Sequence, residues 1–436
     1  MSWKYYLLIV LASGLVSCSE GPNGAIEPAD SELLFQLEGA LTEAIVQDAF
    51  SPPVASRIYA YCNLSAQEVV AHFREGVSPL SAHLRGFDQK IDSIKGKTDE
   101  RLVLAYTFSI VANSLVYRDH VIDSALNSIK NSLGIAEVID QNSLILANSI
   151  SSKILSRSNI DGYSKTRKMG RYLTKEGIDK WEPTPPKFTD ALEPHWDKIQ
   201  PFTLDSAAQF FMPIPFNYSI EAKSEFYTIT VKEVYDSVVN VNDNSRMVAK
   251  FWDCNPFLTK QTGHMTYNVR QLTPGGHWVG ITEIASRKRE LQIVEASDLL
   301  AKVSVVIADA FISAWHAKYE TDFIRPETYI NRHVDPEWKP ILESPHFPEY
   351  TSAHSTVSAG AAYVLTHELG VGFQFTDSTE VPYGLPARDF NSFFQASDEA
   401  SLSRILGGIH FRPSIEVGMN QGRLISEHVL FKLKDQ

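Results

Sequence analysis

The stretch FPEYTSAHSTVSAGAAYVLTHELG, residues 347–370, runs from a proline-bounded segment into an apolar helix rich in small side chains. Thr351 or Ser352 suits the N-cap, because a short hydroxyl side chain accepts from the unpaired N–H groups of a first turn, and Gly370 suits the stop. His354 then lies in the first turn. Unpaired amides and the positive end of the helix dipole make that turn a place for an oxyanion, with the Ser352 hydroxyl as a further donor. A histidine there serves equally well as a cap or a packing residue, so the stretch alone leaves its role open.

Two flanking blocks narrow it. In AWHAKYETDFIRPE (314–327), Lys318 and Arg325 stand seven residues apart, nearly two turns of a continuous helix, which puts both cations on one face before Pro326 discourages further helix. In SRILGGIHFRPS (403–414), Gly407-Gly408 ends one helix and Pro413 suits the first turn of the next, leaving His410 in the junction. Arg404 there offers a planar fork of donors, which lysine meets only as a point charge. Three cations, helix-terminal amides and two imidazoles within the last third of the chain suit a buried oxyanion.

The remainder reads as helix. Apolar residues return every three or four positions in SELLFQLEGALTEAIVQDAF (31–50), LSAQEVVAHFREG (64–76), DERLVLAYTFSIVANSLVYRDHVIDSALNSI (99–129) and NSLILANSISSKILSRS (142–158). Helical patterns resume in SEFYTITVKEVYDSVV (224–239), NSRMVAKFWDC (244–254) and one long run from about Thr282 to Lys318. Between them, WEPTPPKFTDALEPHWDKIQPF (181–202) carries five prolines and predicts an extended, surface-wrapping connection. The expected organisation is an N-terminal helical region at 29–180, a proline-rich connection at 181–201 and a C-terminal helical region at 202–436 carrying the site, in an all-α fold.

The first residues, MSWKYYLLIVLASGLVSCSE, read as an export signal over 1–18, followed by a Gly/Pro/acid-rich tether over 19–28. Leu15-Val16-Ser17-Cys18 resembles a bacterial lipobox, which implies acylation of Cys18 and attachment to a bacterial cell membrane on its periplasmic or outer side. Beyond residue 18 no stretch reads as the roughly 18 apolar residues a span requires. Cys62 and Cys254 either pair or remain free thiols. With 436 residues, 21% charged, and a net charge of −12, the chain has length for a large core and lacks the basic surface that nucleic acid demands. His264 and His277 match no standard zinc spacing, and Gly-Gly-His-Trp reads as a loop. Neither a Gly-x-Ser-x-Gly elbow nor a glycine-rich phosphate loop is present.

Lys-six residues-Arg-Pro, then Ser-Ala-His, then Ser-Arg-five residues-His resembles the signature shared by vanadium-dependent haloperoxidases and type 2 phosphatidic acid phosphatases. The resemblance implies that Lys318, Arg325, Ser352, the amide of Ala353 and Arg404 hold the equatorial oxygens of vanadate or phosphate. It implies that His410 bonds the central atom and that His354 moves protons at the apical oxygen. For a haloperoxidase the small-molecule substrates would be peroxide and a halide; for a phosphatase, a phosphomonoester. Trp315 and Phe347 resemble an aromatic halide pocket. The chain departs from the family at Ala353, usually glycine, and at Ser414, where phosphatases commonly carry an aspartate that orients the nucleophilic histidine. Its loss disfavours phosphatase chemistry, and a replacement role for Glu416 is left unassigned. A haloperoxidase is thus the first expectation, a soluble phosphomonoesterase the second, and a silent phosphate-binding lipoprotein the third.

Overall fold

The structure, a computed structural model, describes residues 29–434 except 93, 263 and 264. The export signal, Cys18, the tether and His264 lie outside the described residues. The first group of helices is α1 (Ser31–Asp48), α2 (Pro52–Phe73), α3 (Glu100–Asn113), α4 (Asp119–Leu133), α5 (Glu137–Ile160) and the short α6 (Tyr163–Thr166). The second is α7 (Lys232–Val239), entered through a π-helical turn over Phe226–Val231, then α8 (Asp243–Phe251), α9 (Pro274–Lys288), α10 (Ile293–Thr321), α11 (Pro326–His333), α12 (Ala353–Leu369), α13 (Phe393–Leu406) and α14 (Arg412–Lys432). Two small antiparallel ribbons accompany them, β1 (Thr259–Thr262) with β2 (Met265–Asn268) and β3 (Phe375–Asp377) with β4 (Arg388–Phe390). The all-helical class holds.

Local chemistry sets most helix ends. Asp30 caps α1 by accepting from Leu33 N at 2.9 Å, and Ser352 caps α12 by accepting from Ser355 N at 3.3 Å. The expected run from Thr282 to Lys318 is two helices: α9 stops at Lys288, Glu290 takes a left-handed φ of 53°, and α10 begins at Ile293. Gly-Gly-His-Trp is not a loop. Thr273 caps Gly276 N at 3.1 Å and Pro274 opens α9, so His277 sits in a first turn.

α10 is the spine. It is long and apolar enough to cross a membrane, contrary to the sequence reading, but 89% of its most apolar window lies inside the protein, as expected of a core helix. The main core draws on α1 through α5 and on α9, α10, α12 and α14 together. The proline-rich connection carries one short helical turn, Trp196–Lys198, and is fastened to α10 just past its end: buried Asp309 accepts from Phe202 N at 2.8 Å, Thr203 N at 2.9 Å and Thr203 Oγ1 at 2.6 Å. α12 and α14 pack backbone to backbone, because a Cβ on Gly422 would lie 2.1 Å from Thr356 O. Cys62 and Cys254 are both free and buried.

Candidate active site

The ends of α10 and α13 and the starts of α11, α12 and α14 converge on one buried cluster. Lys318 and Arg325 do not share a helix face: α10 ends at Thr321, Asp322 turns left-handed with φ 52°, and Arg325 is the N-cap of α11. Pro326 opens that helix, since a first-turn position needs no N–H donor. The break brings both cations to the junction segment 347–351. Lys318 Nζ donates to the carbonyls of Pro348 (3.0 Å), Glu349 (3.1 Å) and Thr351 (2.7 Å). Arg325 donates through Nε to Phe347 O (2.9 Å) and through Nη1 to Ile409 O (2.8 Å) and toward His410 Nε2 (3.2 Å). Arg404 donates through Nε to Ser403 Oγ (2.9 Å) and through Nη2 to Trp252 O. All three cations are at most 1% exposed, so positive charge is concentrated away from water.

His410 lies in the α13–α14 junction, as its flanking glycines and proline foretell. Its Nδ1 meets Glu349 Oε1 at 2.8 Å. With Nδ1–H donating to that carboxylate, the Nε2 lone pair accepts from Arg325 Nη1, and it is this lone pair that a bound central atom would take in place of the arginine N–H. Glu349 also accepts from Phe411 N (2.9 Å) and Ser414 Oγ (2.6 Å). The carboxylate missing at Ser414 is thus supplied from elsewhere in the chain. The carboxylate that orients His410 comes from position 349, which motif spacing did not single out, and Ser414 braces that carboxylate; Glu416 is exposed on α14 and takes no part.

Burial first, then Arg325 and Lys318, hold the His410 imidazole neutral, well below its ordinary value. His354 is held low by burial and by Arg404. Burial raises Glu349 to about 6, against the hydrogen bonds from Ser414 and Phe411, and lowers Arg325 to about 10.

A cavity of about 50 Å³ opens onto this cluster, lined by Ala353, His354, Arg404 and His410 on one side and by Phe311, Trp315, His346 and Phe347 on another. At roughly 10–15 Å³ per water-sized space, it has room for a tetrahedral oxyanion. His354 Nε2 is buried without a hydrogen-bond partner, an orphan acceptor or donor that a bound anion's oxygen would satisfy. Trp315 and Phe347 sit with ring centroids 5.0 Å apart, and Lys318 Nζ lies 4.8 Å over the Phe347 ring. Ser352 is fully buried, with Oγ 2.8 Å from Ser355 Oγ, and Ala353 begins α12 without a positive φ. Arg404, the orphan nitrogen, the surrounding buried positive charge and the cavity volume fit vanadate or phosphate, whereas Lys318, Arg325 and Ser352 stand behind the cavity lining and the Lys318 N–H groups are occupied by main-chain carbonyls. His346 also lines the cavity and was not anticipated; burial lowers it to about 4.

Residues 298–436 match the family model for the second helical-bundle domain of vanadium chloroperoxidase (VCPO). The chain is similar to a bacterial vanadium-dependent iodoperoxidase of known structure, with 40% identity, a TM-score of 0.88, and coverage of 94% of this chain and all of that one. A holo-type bacterial vanadium-dependent chloroperoxidase shares the fold at 15% identity and a TM-score of 0.69, covering 95% of this chain and all of that one. No curated protein sequence matched.

Proposed function

The chain belongs to the vanadium-dependent haloperoxidases, oxidoreductases that use vanadate, and we propose that it oxidises iodide with hydrogen peroxide, using His410 Nε2 as the protein ligand to vanadium. The supporting observation for the site is the pairing of His410, oriented by Glu349 at 2.8 Å, with the unpartnered Nε2 of His354 on the same cavity wall. When bound, vanadate supplies a Lewis acid that activates peroxide.

This chain's residues do the rest. Glu349 keeps the His410 proton on Nδ1, so that Nε2 presents its lone pair. Arg325, Arg404 and Lys318 offset the charge of the oxyanion, while Ser352 and the Ala353 amide complete its surroundings from the start of α12. His354, neutral and part-exposed to the cavity, carries protons between peroxide and the site, as a general acid and base. Overall, halide, hydrogen peroxide and one proton give hypohalous acid and water. Trp315 and Phe347 form an apolar wall for the halide, and a large, weakly hydrated anion such as iodide is the least costly to bring against it. The likeness to an iodoperoxidase supports the same choice.

The test is vanadate-stripped and reloaded protein assayed for iodination, bromination and chlorination with peroxide. Vanadate-dependent iodination that exceeds bromination is expected, and His410→Ala should abolish it; full activity in that variant would overturn the site. A second reading, phosphomonoester hydrolysis, gains from Glu349, because the orienting carboxylate missing at Ser414 is supplied from elsewhere. Its mark would be p-nitrophenyl phosphate hydrolysis inhibited by vanadate. We further propose, on the Leu15-Val16-Ser17-Cys18 sequence, that the protein is exported and anchored through acylated Cys18. Cys18→Ala should then release it from the membrane fraction and prevent palmitate labelling; unchanged labelling would reject the anchor.

A further inference from the structure

A second cluster lies directly behind the cavity wall. Cys254, at the end of the segment following α8, lines the cavity. Its Sγ lies 3.4 Å from His277 Nδ1, in the first turn of α9, and 3.9 Å from Glu380 Oε1, just after β3. His277 Nδ1 and Glu380 Oε1 are 3.4 Å apart. These three atoms come from remote parts of the chain, and all three side chains are at most 3% exposed. The other imidazole nitrogen, His277 Nε2, lies 2.7 Å from Asp377 Oδ2. Asp377 is itself fixed, because its Oδ1 accepts from Thr379 N at 3.0 Å and Thr379 Oγ1 at 2.7 Å.

We propose that Cys254, His277 and Glu380 bind a zinc ion. Tetrahedral zinc, with Zn–S near 2.3 Å and Zn–N and Zn–O near 2.0–2.1 Å, sets its ligand atoms about 3.3–3.6 Å apart. The separations of 3.4, 3.9 and 3.4 Å already approach that triangle. Release of the Nδ1 proton on metal binding, with Nε2–H still donating to Asp377, would aim the Nδ1 lone pair between the thiol and the carboxylate, as in carboxylate–histidine–zinc arrangements. Thiol, imidazole and carboxylate together suit zinc better than magnesium or calcium, which want oxygen ligands alone. Zinc has no redox chemistry of its own, so it would not consume the peroxide handled nearby.

The ion would have a structural consequence for the active site. Trp252 stacks on His277 with ring centroids 4.4 Å apart and an interplanar angle of 15°, and the Trp252 carbonyl accepts from Arg404 Nη2. A metal bound at Cys254 and His277 therefore ties down the segment that positions Arg404. It is a positioning site, distinct from the vanadate ligand His410.

The experiment is elemental analysis of the purified chain after zinc loading and desalting, with cobalt(II) substitution as a spectroscopic probe. About one zinc per chain is expected, with a near-ultraviolet thiolate-to-cobalt band in the cobalt form. Cys254→Ala and His277→Ala should each lower zinc affinity at least tenfold, and Cys254→Ala should remove the band. Asp377→Asn should weaken binding about 10- to 100-fold. His410→Ala should keep its zinc; loss of zinc there would mean that the metal was held at the oxyanion site and would overturn the assignment. If a ligand variant fails to fold, the wild-type cobalt spectrum and zinc protection of Cys254 from alkylation decide. Wild-type protein that retains neither metal, and whose Cys254 alkylates at the same rate with and without zinc, would show a hydrogen-bonded thiol only and overturn the proposal.

Discussion

At the scale of single residues, the decisive contact is His410 with Glu349. A carboxylate behind a ligating imidazole fixes its tautomer and raises its basicity, and removing such a partner costs about 10- to 100-fold in metal affinity or activity. Glu349→Gln should therefore weaken vanadate binding by that factor without unfolding the protein, as read by vanadate titration of halogenating activity and by circular dichroism. The vanadate-free site also shapes acid stability. His354 and His410 are both held below the ordinary imidazole value of 6.5, by burial and then by Arg404 and Arg325 respectively. They bind protons more tightly in the unfolded chain, so their contribution is present above 6.5 and lost as pH falls below it. Glu349, raised from 4.5 to about 6, acts in the opposite sense, losing its contribution as pH rises between those values. His354→Gln removes one such imidazole, so between pH 7 and pH 5 the urea midpoint of the vanadate-free variant should fall less, or rise more, than that of the parent protein.

At the scale of elements, the site depends on how closely α14 approaches α12. A Cβ on Gly418 would lie 2.7 Å from Ser352 O and one on Gly422 would lie 2.1 Å from Thr356 O. The same approach lets Ser352 N and Thr351 Oγ1 donate to Ser414 O, at 3.1 and 2.9 Å, which couples the oxyanion end of α12 to the residue bracing Glu349. Gly422→Ala must push the helices apart, because main chain cannot rotate away as a side chain can. Overpacking of this kind costs about 1–3 kcal/mol, so both the thermal midpoint and vanadate affinity should drop; an unchanged midpoint would contradict the close approach. The α10–α11 break carries a similar lesson. Proline after Arg325 looks like a terminator in a linear reading, yet it starts the helix that aims Arg325 at His410.

At the scale of the whole molecule, a connection with little regular structure is tied to the central helix at Leu192, whose carbonyl accepts from Trp315 and Tyr319, and at its end by a buried carboxylate. Asp309 accepts three hydrogen bonds from Phe202 and Thr203, and Asp309→Ala would leave buried backbone donors unsatisfied at about 1–3 kcal/mol for each group. A lower urea midpoint and faster proteolysis within 181–225 are expected; unchanged proteolysis would show that the connection is held elsewhere. Leu192, on that connection, lines the cavity with Trp315 and accepts from Trp315 Nε1 at 3.2 Å, so the two helical groups and their connection together shape the cavity wall.

The sequence by itself determined the helical class, through apolar periodicity, and singled out the candidate oxyanion residues, because Lys318, Arg325, Ser352, Ala353, His354, Arg404 and His410 fall in three ordered blocks with recognisable capping and breaking residues. Those signals are local: a cap, a proline or a glycine pair acts within a few residues. Only the tertiary structure decided that Glu349, not Glu416, orients His410, that α10 is core despite its apolar length, and that Cys254, His277, Asp377 and Glu380 meet. Each of these depends on which remote segments share a buried volume, and no periodicity records that. A carboxylate or thiol becomes chemically specific when burial removes water and leaves it only the partners that packing has brought within reach.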